Sequence, residues 1–395
     1  MDTTILKEII EKPITGEWGS EGERIKVLRS TNFSNDGLID LKNLVSRNIP
    51  EHKIESKKLK KGDVIIEKSG GGPNQPVGRV VYFDLEEEFI CNNFTSILRP
   101  VVAKVFPKYL HYLLFASHKF GLTRSFQNKT TGIINLQLSR YVDNLEIPLL
   151  PLGAQKQIAQ VLDDAAALRN KTQILLKEYD LLAQSIFLEM FGDPVNNPKK
   201  WVISNIKEVA QKVQIGPFGS QLHKSDYIDN GFALINPTNI INGKINLSKV
   251  VFINKEKFNS LPNYHLKSGD ILMARRGDLS KIGLIERDNH FCGTGSLYIR
   301  LDEKINSLFA LFHLSHRSTI DRLYSKSRGI TMANLNKKIV NELKITVPPI
   351  DLQNKFAEKI RLIEKQKKIA KQELKESEDL FTCLLQKAFK GELVN

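Results

Sequence analysis

The sequence is dominated by an internal duplication, in which residues of the first half recur in the same order about 200 positions later. An ordered series of matches along a whole chain is not expected by chance, and its period is far longer than that of a solenoid repeat. Each copy is long enough to be a folded domain. The sequence therefore predicts two related units. The matched segments are Leu6-Lys7-Glu8-Ile9 with Ile206-Lys207-Glu208-Val209, Gly16-Glu17-Trp18-Gly19-Ser20 with Gly216-Pro217-Phe218-Gly219-Ser220, Thr31-Asn32-Phe33 with Thr238-Asn239-Ile240, Gly62-Asp63 with Gly269-Asp270, Cys91 with Cys292, Arg99 with Arg300, Asn135-Leu136 with Asn334-Leu335, and Pro151 and Gln155 with Pro349 and Gln353.

Each copy divides into a mixed α/β part and a long helix. Short β-rich runs at 63–66 and 270–273 follow a Gly-Asp turn, and apolar residues at helical spacing mark 108–120 and 307–324. The predicted fold class is therefore mixed α/β, duplicated, with two long helices joining the copies. The predicted boundaries are 1–150 and 199–348 for the α/β domains, and 151–198 and 349–395 for the helices.

The two helices are predicted to open at Pro151 and Pro349, since a proline in the first turn loses no intrahelical hydrogen bond. Each would span roughly 40 residues, or about 60 Å. Their apolar residues follow the spacing of a coiled-coil seam, which is also compatible with pairing between molecules. Two matching helices in one chain favour an intramolecular antiparallel pair with pseudo-twofold symmetry, because tethering raises the effective concentration. The predicted seams are Ile158, Val161, Ala165, Leu168, Leu175, Tyr179, Leu182 and Ile186, and Phe356, Ile360, Ile363, Ala370, Leu374, Phe381 and Leu384.

The charge balance favours a polyanionic partner. The formal net charge of the 395 residues is +14, and nucleic acid is the first candidate, although a basic surface with no partner has the same balance.

The three cysteines lie far apart and outside any metal-ligand cluster, which argues against disulfides and structural zinc and fits a reducing cytosol. We predict a cytoplasmic protein without a signal peptide, a membrane span or a membrane partner.

Motifs that carry catalysis are weak or absent. The Asn236-Pro237-Thr238-Asn239 segment lacks the second proline and the aromatic residue of an adenine methyltransferase signature. The Gly-rich segment 69–73 lacks the Gly-Lys-Ser/Thr ending of a P-loop, and we interpret it as a flexible loop. Histidines show no metal-ligand spacing, and nuclease-like patterns fit only weakly in several places, including Glu358-Lys359 on the long helix. The sequence therefore predicts no catalytic, cofactor-binding or metal-binding residue in this chain.

Two polar loops at matched places in the copies are the candidate DNA-binding surface. Their side chains are of the types that contact phosphates and base edges, and a glycine lets the backbone approach closely. Two solvated loops remain the alternative for any single residue. The predicted DNA-binding residues are Lys68, Ser69, Asn128, Lys129 and Thr130 in the first copy, and Arg275, Arg276, Lys326, Ser327 and Arg328 in the second.

With these motifs the chain resembles the specificity (S) subunits of type I restriction-modification systems. The resemblance rests on Gly-x-aromatic-Gly-Ser, Thr-Asn, the Gly-Asp strand and Gly-Ile…Asn-Leu in both copies, and it covers essentially the whole chain. The second copy closes with the Val-Pro-Pro-Ile-Asp-Leu-Gln segment at 347–353, whereas the first copy separates the two prolines within 148–155. The helix-opening proline and the glutamine remain in both.

The resemblance implies that each α/β part is a target-recognition domain reading one half of a bipartite DNA sequence. It implies that the helices act as a spacer and dock two methyltransferase (modification) subunits, joined by restriction subunits. S-adenosylmethionine and ATP with Mg²⁺ are then expected on those partners, with no active site and no cofactor in this chain. Because the copies differ at their loop tips, we expect a non-palindromic target. A standalone DNA-binding regulatory or architectural protein, an enzyme and a coiled-coil scaffold are the alternatives.

Overall fold

The computed structural model describes residues 2–72, 75–130, 133–326 and 335–393, which fold into two compact units. The first unit comprises Met1–Gln173 and Gln372–Asn395, and the second comprises Ile174–Lys371. Both unit boundaries fall inside long helices, so each unit contains part of both helices.

The helices are α1 (Glu51–Lys57), α2 (Pro107–Lys119), α3 (Leu138–Asn144), α4 (Leu152–Phe191), α5 (Ile206–Val209), α6 (Lys255–Ser260), α7 (Ser307–Ser315), α8 (Arg317–Lys326), α9 (Lys337–Asn341) and α10 (Ile350–Lys390). The strands are β1 (Thr3–Ile5), β2 (Ile14–Thr15), β3 (Ser20–Leu28), β4 (Val45–Asn48), β5 (Val64–Glu67), β6 (Ser69–Gly71), β7 (Val80–Tyr82), β8 (Phe89–Cys91), β9 (Thr95–Leu98), β10 (Gln127–Thr130), β11 (Ile133–Leu136), β12 (Glu146–Pro148), β13 (Val202–Asn205), β14 (Ala210–Ile215), β15 (Tyr227–Ile228), β16 (Phe232–Ile235), β17 (Ile240–Ile241), β18 (Lys244–Ile245), β19 (Val251–Ile253), β20 (His265–Leu266), β21 (Ile271–Ala274), β22 (Ile282–Leu284), β23 (His290–Cys292), β24 (Ser296–Leu301) and β25 (Lys344–Val347).

The two units repeat one sheet topology. An antiparallel sheet has the order β2-β9-β5-β7 in the first unit and β14-β24-β21-β22 in the second. A second sheet holds a parallel pair, in which Leu28 lies opposite Cys91 in one unit and Ile235 lies opposite Cys292 in the other. The first and last strands of each α/β part pair with each other, β1 with β12 and β13 with β25. The predicted duplicated mixed α/β fold is confirmed.

A buried aspartate–arginine pair fixes the Gly-Asp turn of each unit. Arg99 donates from Nε and Nη2 to the two carboxylate oxygens of Asp63, at 2.8 Å each. Arg300 makes the same two bonds to Asp270, at 2.8 and 2.7 Å. Both aspartates are 1% exposed, and removing one partner of such a pair would leave a buried charge without compensation. These matched residues therefore hold the fold together.

A buried glutamine in the first turn of each long helix ties that helix to its α/β part. The Gln353 amide donates to the carbonyl oxygens of Lys304 and Pro348, at 3.0 and 2.8 Å, and its oxygen accepts from the backbone N–H of Asn306 at 2.9 Å. Gln155 makes the three matching bonds in the first unit. Both glutamines are 0% exposed, so every polar atom of the side-chain amide is used in this connection.

The long helices pack against each other in opposite directions. In the first unit, residues 158–165 of α4 share a core with residues 381–388 of α10. In the second unit, residues 183–191 of α4 share a core with residues 356–363 of α10. The prediction that the two helices pair within one chain is therefore confirmed.

The predicted seam is wrong at three positions of α4 that are about half exposed, namely Val161 (42%), Leu168 (50%) and Leu182 (46%). The buried stripe includes Leu162 and Phe187 instead. The reason is that α4 packs on its own α/β part as well as on α10. Lys108 of α2, for example, donates to Asp163 at 2.5 Å. Contacts with both the α/β part and α10 determine which face of α4 is buried, whereas a heptad repeat predicts only the contact with α10.

Two further sequence predictions need correction. The helix predicted over 307–324 is broken at His316, whose backbone is extended, so α7 and α8 are separate. The Gly-rich segment interpreted as a loop contributes β6, which pairs with β11 in a sheet of order β10-β11-β6. Pairing with β11 overrides the local pattern at β6, and the His316 ring at the helix break stacks on Phe187 of α4.

The matched cysteines occupy interior positions. Cys91 and Cys292 are 0% exposed, and burial raises the pKa of both thiols, to about 11 for Cys91. Across the described part of the chain, no group of three His, Cys, Asp or Glu side chains is placed to hold a metal ion. No helix there combines the length and the apolar character needed to cross a membrane.

Replacing Gln353 with leucine is expected to lower the free energy of unfolding by about 2 to 4 kcal/mol, because buried backbone groups lose their partners. Urea denaturation measures the change. The matched control is Gln372→Leu, on an exposed position of α10, which should change the free energy by less than about 0.5 kcal/mol. Equal effects of the two substitutions would contradict the assigned role of Gln353.

Buried histidines predict a loss of stability in acid. Burial lowers the pKa of His111 and His118 to about 4 and that of His313 to about 3, below an unfolded value of about 6.5. A depressed folded-state pKa means that stability is full above pH 6.5 and is lost as the pH falls towards 4 and then 3. Denaturation from pH 7.5 to 4 should show this fall.

His313→Gln should make that pH dependence shallower, because it removes one buried group that protonates more readily after unfolding. His313 Nε2 accepts from the backbone N–H of Thr346 at 3.2 Å, and a glutamine oxygen keeps an acceptor there. His52→Gln, at an exposed position of α1, should leave the pH profile unchanged. An unchanged profile for His313→Gln would refute the assignment.

Candidate nucleic-acid interface

The same backbone frame supports the predicted interface in both units. The N–H of Lys68 donates to the carbonyl of Phe94 at 2.9 Å, and its own carbonyl accepts from Leu136 at 2.8 Å. In the second unit the N–H of Arg275 donates to Gly295 at 2.9 Å, and its carbonyl accepts from Leu335 at 2.8 Å. The end of the Gly-Asp strand is thus bonded to the Asn-Leu segment in each unit.

In the first unit this frame brings the two predicted loops together. Ser69 lies on β6 and Asn128 on β10, the two outer strands of one small sheet. Both pair with Asn135 of the central strand β11, and the Ser69 hydroxyl is hydrogen-bonded to the Asn135 side-chain oxygen. Lys129 and Thr130 continue β10. The structure therefore places the two predicted segments of the first unit in one sheet.

Lys68 is held at the edge of the site. Its ammonium donates to the Thr15 hydroxyl at 3.0 Å, and the side chain is half-buried. Burial lowers the pKa of Lys68, because desolvation disfavours the charged form. A phosphate placed beside this group would reverse that effect by compensating its charge.

The matched arginines of the second unit differ sharply in exposure. Arg275 is 8% exposed, and its guanidinium lies over the Phe218 ring at 4.6 Å. Burial, and then the charge of Arg276, lowers the pKa of Arg275. Arg276 is exposed. The two residues were predicted together, but their environments suit an internal stacking contact for Arg275 and an external one for Arg276.

The second predicted segment of the second unit is described only in part. Lys326 is the last residue of α8. Ser327 and Arg328 lie outside the described residues. Their assignment to DNA contacts, like that of the other predicted residues, stays a prediction.

A buried ion pair neutralises the acidic residue next to the site in the first unit. Glu67, the last residue of β5, accepts from Nε and Nη2 of Arg79 at 2.9 Å each. Arg79 also donates to the carbonyl of Phe33 at 2.8 Å. Glu67 therefore does not present an unpaired negative charge beside Lys68. Ala274 holds the corresponding place in the second unit.

The Gly-x-aromatic-Gly-Ser loops also lie at this site, although none of their residues is among the predicted DNA-binding residues. Gly216 donates to the carbonyl of Ser296 at 2.9 Å, next to the Gly295 carbonyl that accepts from Arg275. In the first unit Gly16 donates to Thr95 at 3.3 Å. The signal that could have identified these loops is an aromatic residue between two glycines at the same place in both copies.

The family model described as "Type I restriction modification DNA specificity domain" matches residues 7–178 and 198–378. The two matches repeat the duplication and together cover most of the chain.

Named relatives and a solved structure agree with this match. The MjaVIII specificity subunit of a type I restriction enzyme from Methanocaldococcus jannaschii is 26% identical, over 67% of this chain and 66% of its own length. The putative type I restriction enzyme MjaX specificity subunit of the same organism is 22% identical, over 91% of this chain and 85% of its own length. A chain from a structural study of "the type I R-M system" has the same fold, with a TM-score of 0.62 at 18% identity, and the likeness covers 99% of this chain and 98% of that one.

Separate substitutions of the two adjacent arginines should have different effects. Arg276→Ala removes an exposed cation, so it should weaken binding to duplex DNA and reduce the slope of log affinity against log salt concentration by about 0.9. Its effect on stability should stay within about 0.5 kcal/mol. Arg275→Ala should also lower the thermal midpoint, because it removes a buried contact. Mobility-shift titrations at several salt concentrations and thermal denaturation measure these changes.

The matched control is Arg317→Ala, which removes the same charge from an exposed position of α8. It should leave the salt slope unchanged. A slope that changes equally for Arg276→Ala and Arg317→Ala would show that general charge, and not a contact at this site, controls binding.

Proposed function

Because the chain belongs to the type I restriction-modification DNA specificity family, we propose that each of its two units reads one half of a bipartite, non-palindromic DNA target. The recognition domains are 1–150 and 199–348, and the helical segments 151–198 and 349–395 connect them. The chain is a specificity subunit, whose part is recognition.

One observation carries this proposal: the two units share the backbone hydrogen bonds at Lys68 and Arg275 but differ in the side chains at these positions. Lys68 and Arg275 make the same pair of backbone hydrogen bonds, yet one side chain is an ammonium bonded to a threonine and the other a guanidinium over a ring. The shared backbone hydrogen bonds hold the side chains at these positions in a similar way in both units. Different side chains there select different bases. Two unequal half-sites follow from this difference.

The long helices act as a spacer and as a docking surface for two modification subunits. Large apolar side chains are exposed on both helices, including Leu181 (62%) on α4 and Leu362 (65%) on α10. Exposed apolar groups on paired helices suit a protein partner, since burying them removes apolar area from water. Restriction subunits join the resulting complex.

The chemistry belongs to the partner subunits. They bind S-adenosylmethionine for methylation of adenine, and the restriction subunits bind ATP with Mg²⁺. This chain contributes double-stranded DNA recognition and takes no chemical step itself. Methylation within a duplex requires that the base leave the stack, and the recognition domains grip the flanking DNA while this happens.

The test is methylation mapping. The chain is produced with its modification subunits, and methylated adenines are located across a bacterial genome. We expect one bipartite, non-palindromic motif. Arg276→Ala should relax or weaken recognition in only one half of the motif, and Lys68→Ala should act on the other half, because each residue belongs to one unit.

Two controls separate this function from the alternatives. The chain without modification subunits should give no methylation, and turnover by the isolated chain would show that it is an enzyme. Tight sequence-specific binding by the chain alone, without co-purification of modification subunits, would favour a standalone regulatory or architectural protein.

A further inference from the structure

An aromatic ring lies against an arginine guanidinium in the Gly-x-aromatic-Gly-Ser loop of each unit. The Arg47 guanidinium lies 4.1 Å from the centre of the Trp18 ring, and Arg275 lies 4.6 Å from that of Phe218. The two arginines come from different elements, because Arg47 is on β4 and Arg275 follows β21. The two units therefore form the same ring–guanidinium contact with arginines from different structural elements.

The glycines of these loops set the position of the ring. A Cβ added at Gly16 or Gly216 would lie 2.2 or 1.9 Å from a backbone carbonyl oxygen, so both loops need the close approach that glycine allows. Gly19 and Gly219 have φ angles of 67° and 43°, in the left-handed region that favours glycine. The backbone turns directly after the aromatic residue in both units.

Packing within the unit does not account for the Phe218 ring. It is 53% exposed, and a phenylalanine left in water forgoes the stabilisation that burial would supply. The ring stands beside Arg275, which precedes the exposed Arg276 in the chain, at the predicted DNA interface. A planar apolar surface next to a cation is a combination that stacks on nucleobases.

We propose that Phe218 is a base-stacking residue, which stacks on a nucleobase that has become unstacked from its neighbour in the bound half-site. The Arg275 guanidinium holds the ring in place. Trp18, by contrast, packs against a hydrophobic cluster of the first unit. This inference rests on the proposed function, since it assigns a ligand to the recognition surface of the second unit.

The test uses the complex with modification subunits and the duplex target found by methylation mapping. Phe218→Leu should lower affinity about tenfold, a typical effect of losing one base–aromatic stack. The salt slope should stay that of the wild type, because stacking releases no counterions. Phe218→Tyr keeps the ring and should bind like the wild type. Phe120→Leu, at an exposed phenylalanine after α2, is the matched control and should have no effect.

A scan of abasic sites identifies the stacked base. At one position in the half-site read by the second unit, loss of the base should cost the wild type about tenfold and Phe218→Leu nothing further, since both changes remove the same contact. Wild-type affinity of Phe218→Leu, equal losses for the leucine and tyrosine variants, or additive losses at every position would overturn the inference and leave the proposed function intact. Failure of the wild-type complex to bind any bipartite target would overturn both.

Discussion

The connection between each long helix and its α/β part depends on one buried side chain. Gln155 and Gln353 use all the hydrogen-bonding capacity of their amides on backbone groups that precede the helix or lie at the start of a neighbouring helix. A glutamine in the first turn can do this because helix-start N–H groups and nearby loop carbonyls need partners. Each α/β part is thus tied to the start of its long helix, where the two also share a hydrophobic core.

The duplication separates residues that maintain the frame from residues that vary on it. The aspartate–arginine pairs, the interior cysteines, and Leu136 and Leu335 make the same contacts in both units. The side chains at the frame's tip differ in charge, size and burial. This separation is what a protein needs when two domains must present themselves to DNA alike and yet read different sequences.

Much of the fold could be predicted from the sequence because duplication provides a second example of every signal. The Gly-Asp strands and helix starts were placed well for this reason. The seam of α4 was not, since Val161 and Leu168 have heptad spacing but face away from both neighbours. The strand at Ser69–Gly71 pairs with β11, and His316 at the helix break stacks on Phe187, so both involve residues far apart in sequence.

The candidate site separates what the sequence determines from what the tertiary structure decides. By itself, the sequence determined two copies, their α/β-plus-helix organisation, a basic chain and the segments that differ between copies. Only the tertiary structure decided that adjacent Arg275 and Arg276 have opposite environments, and that Phe218 lies beside Arg275. The burial and ring stacking of these side chains depend on which distant segments of the chain are in contact. The type of a residue does not specify those contacts.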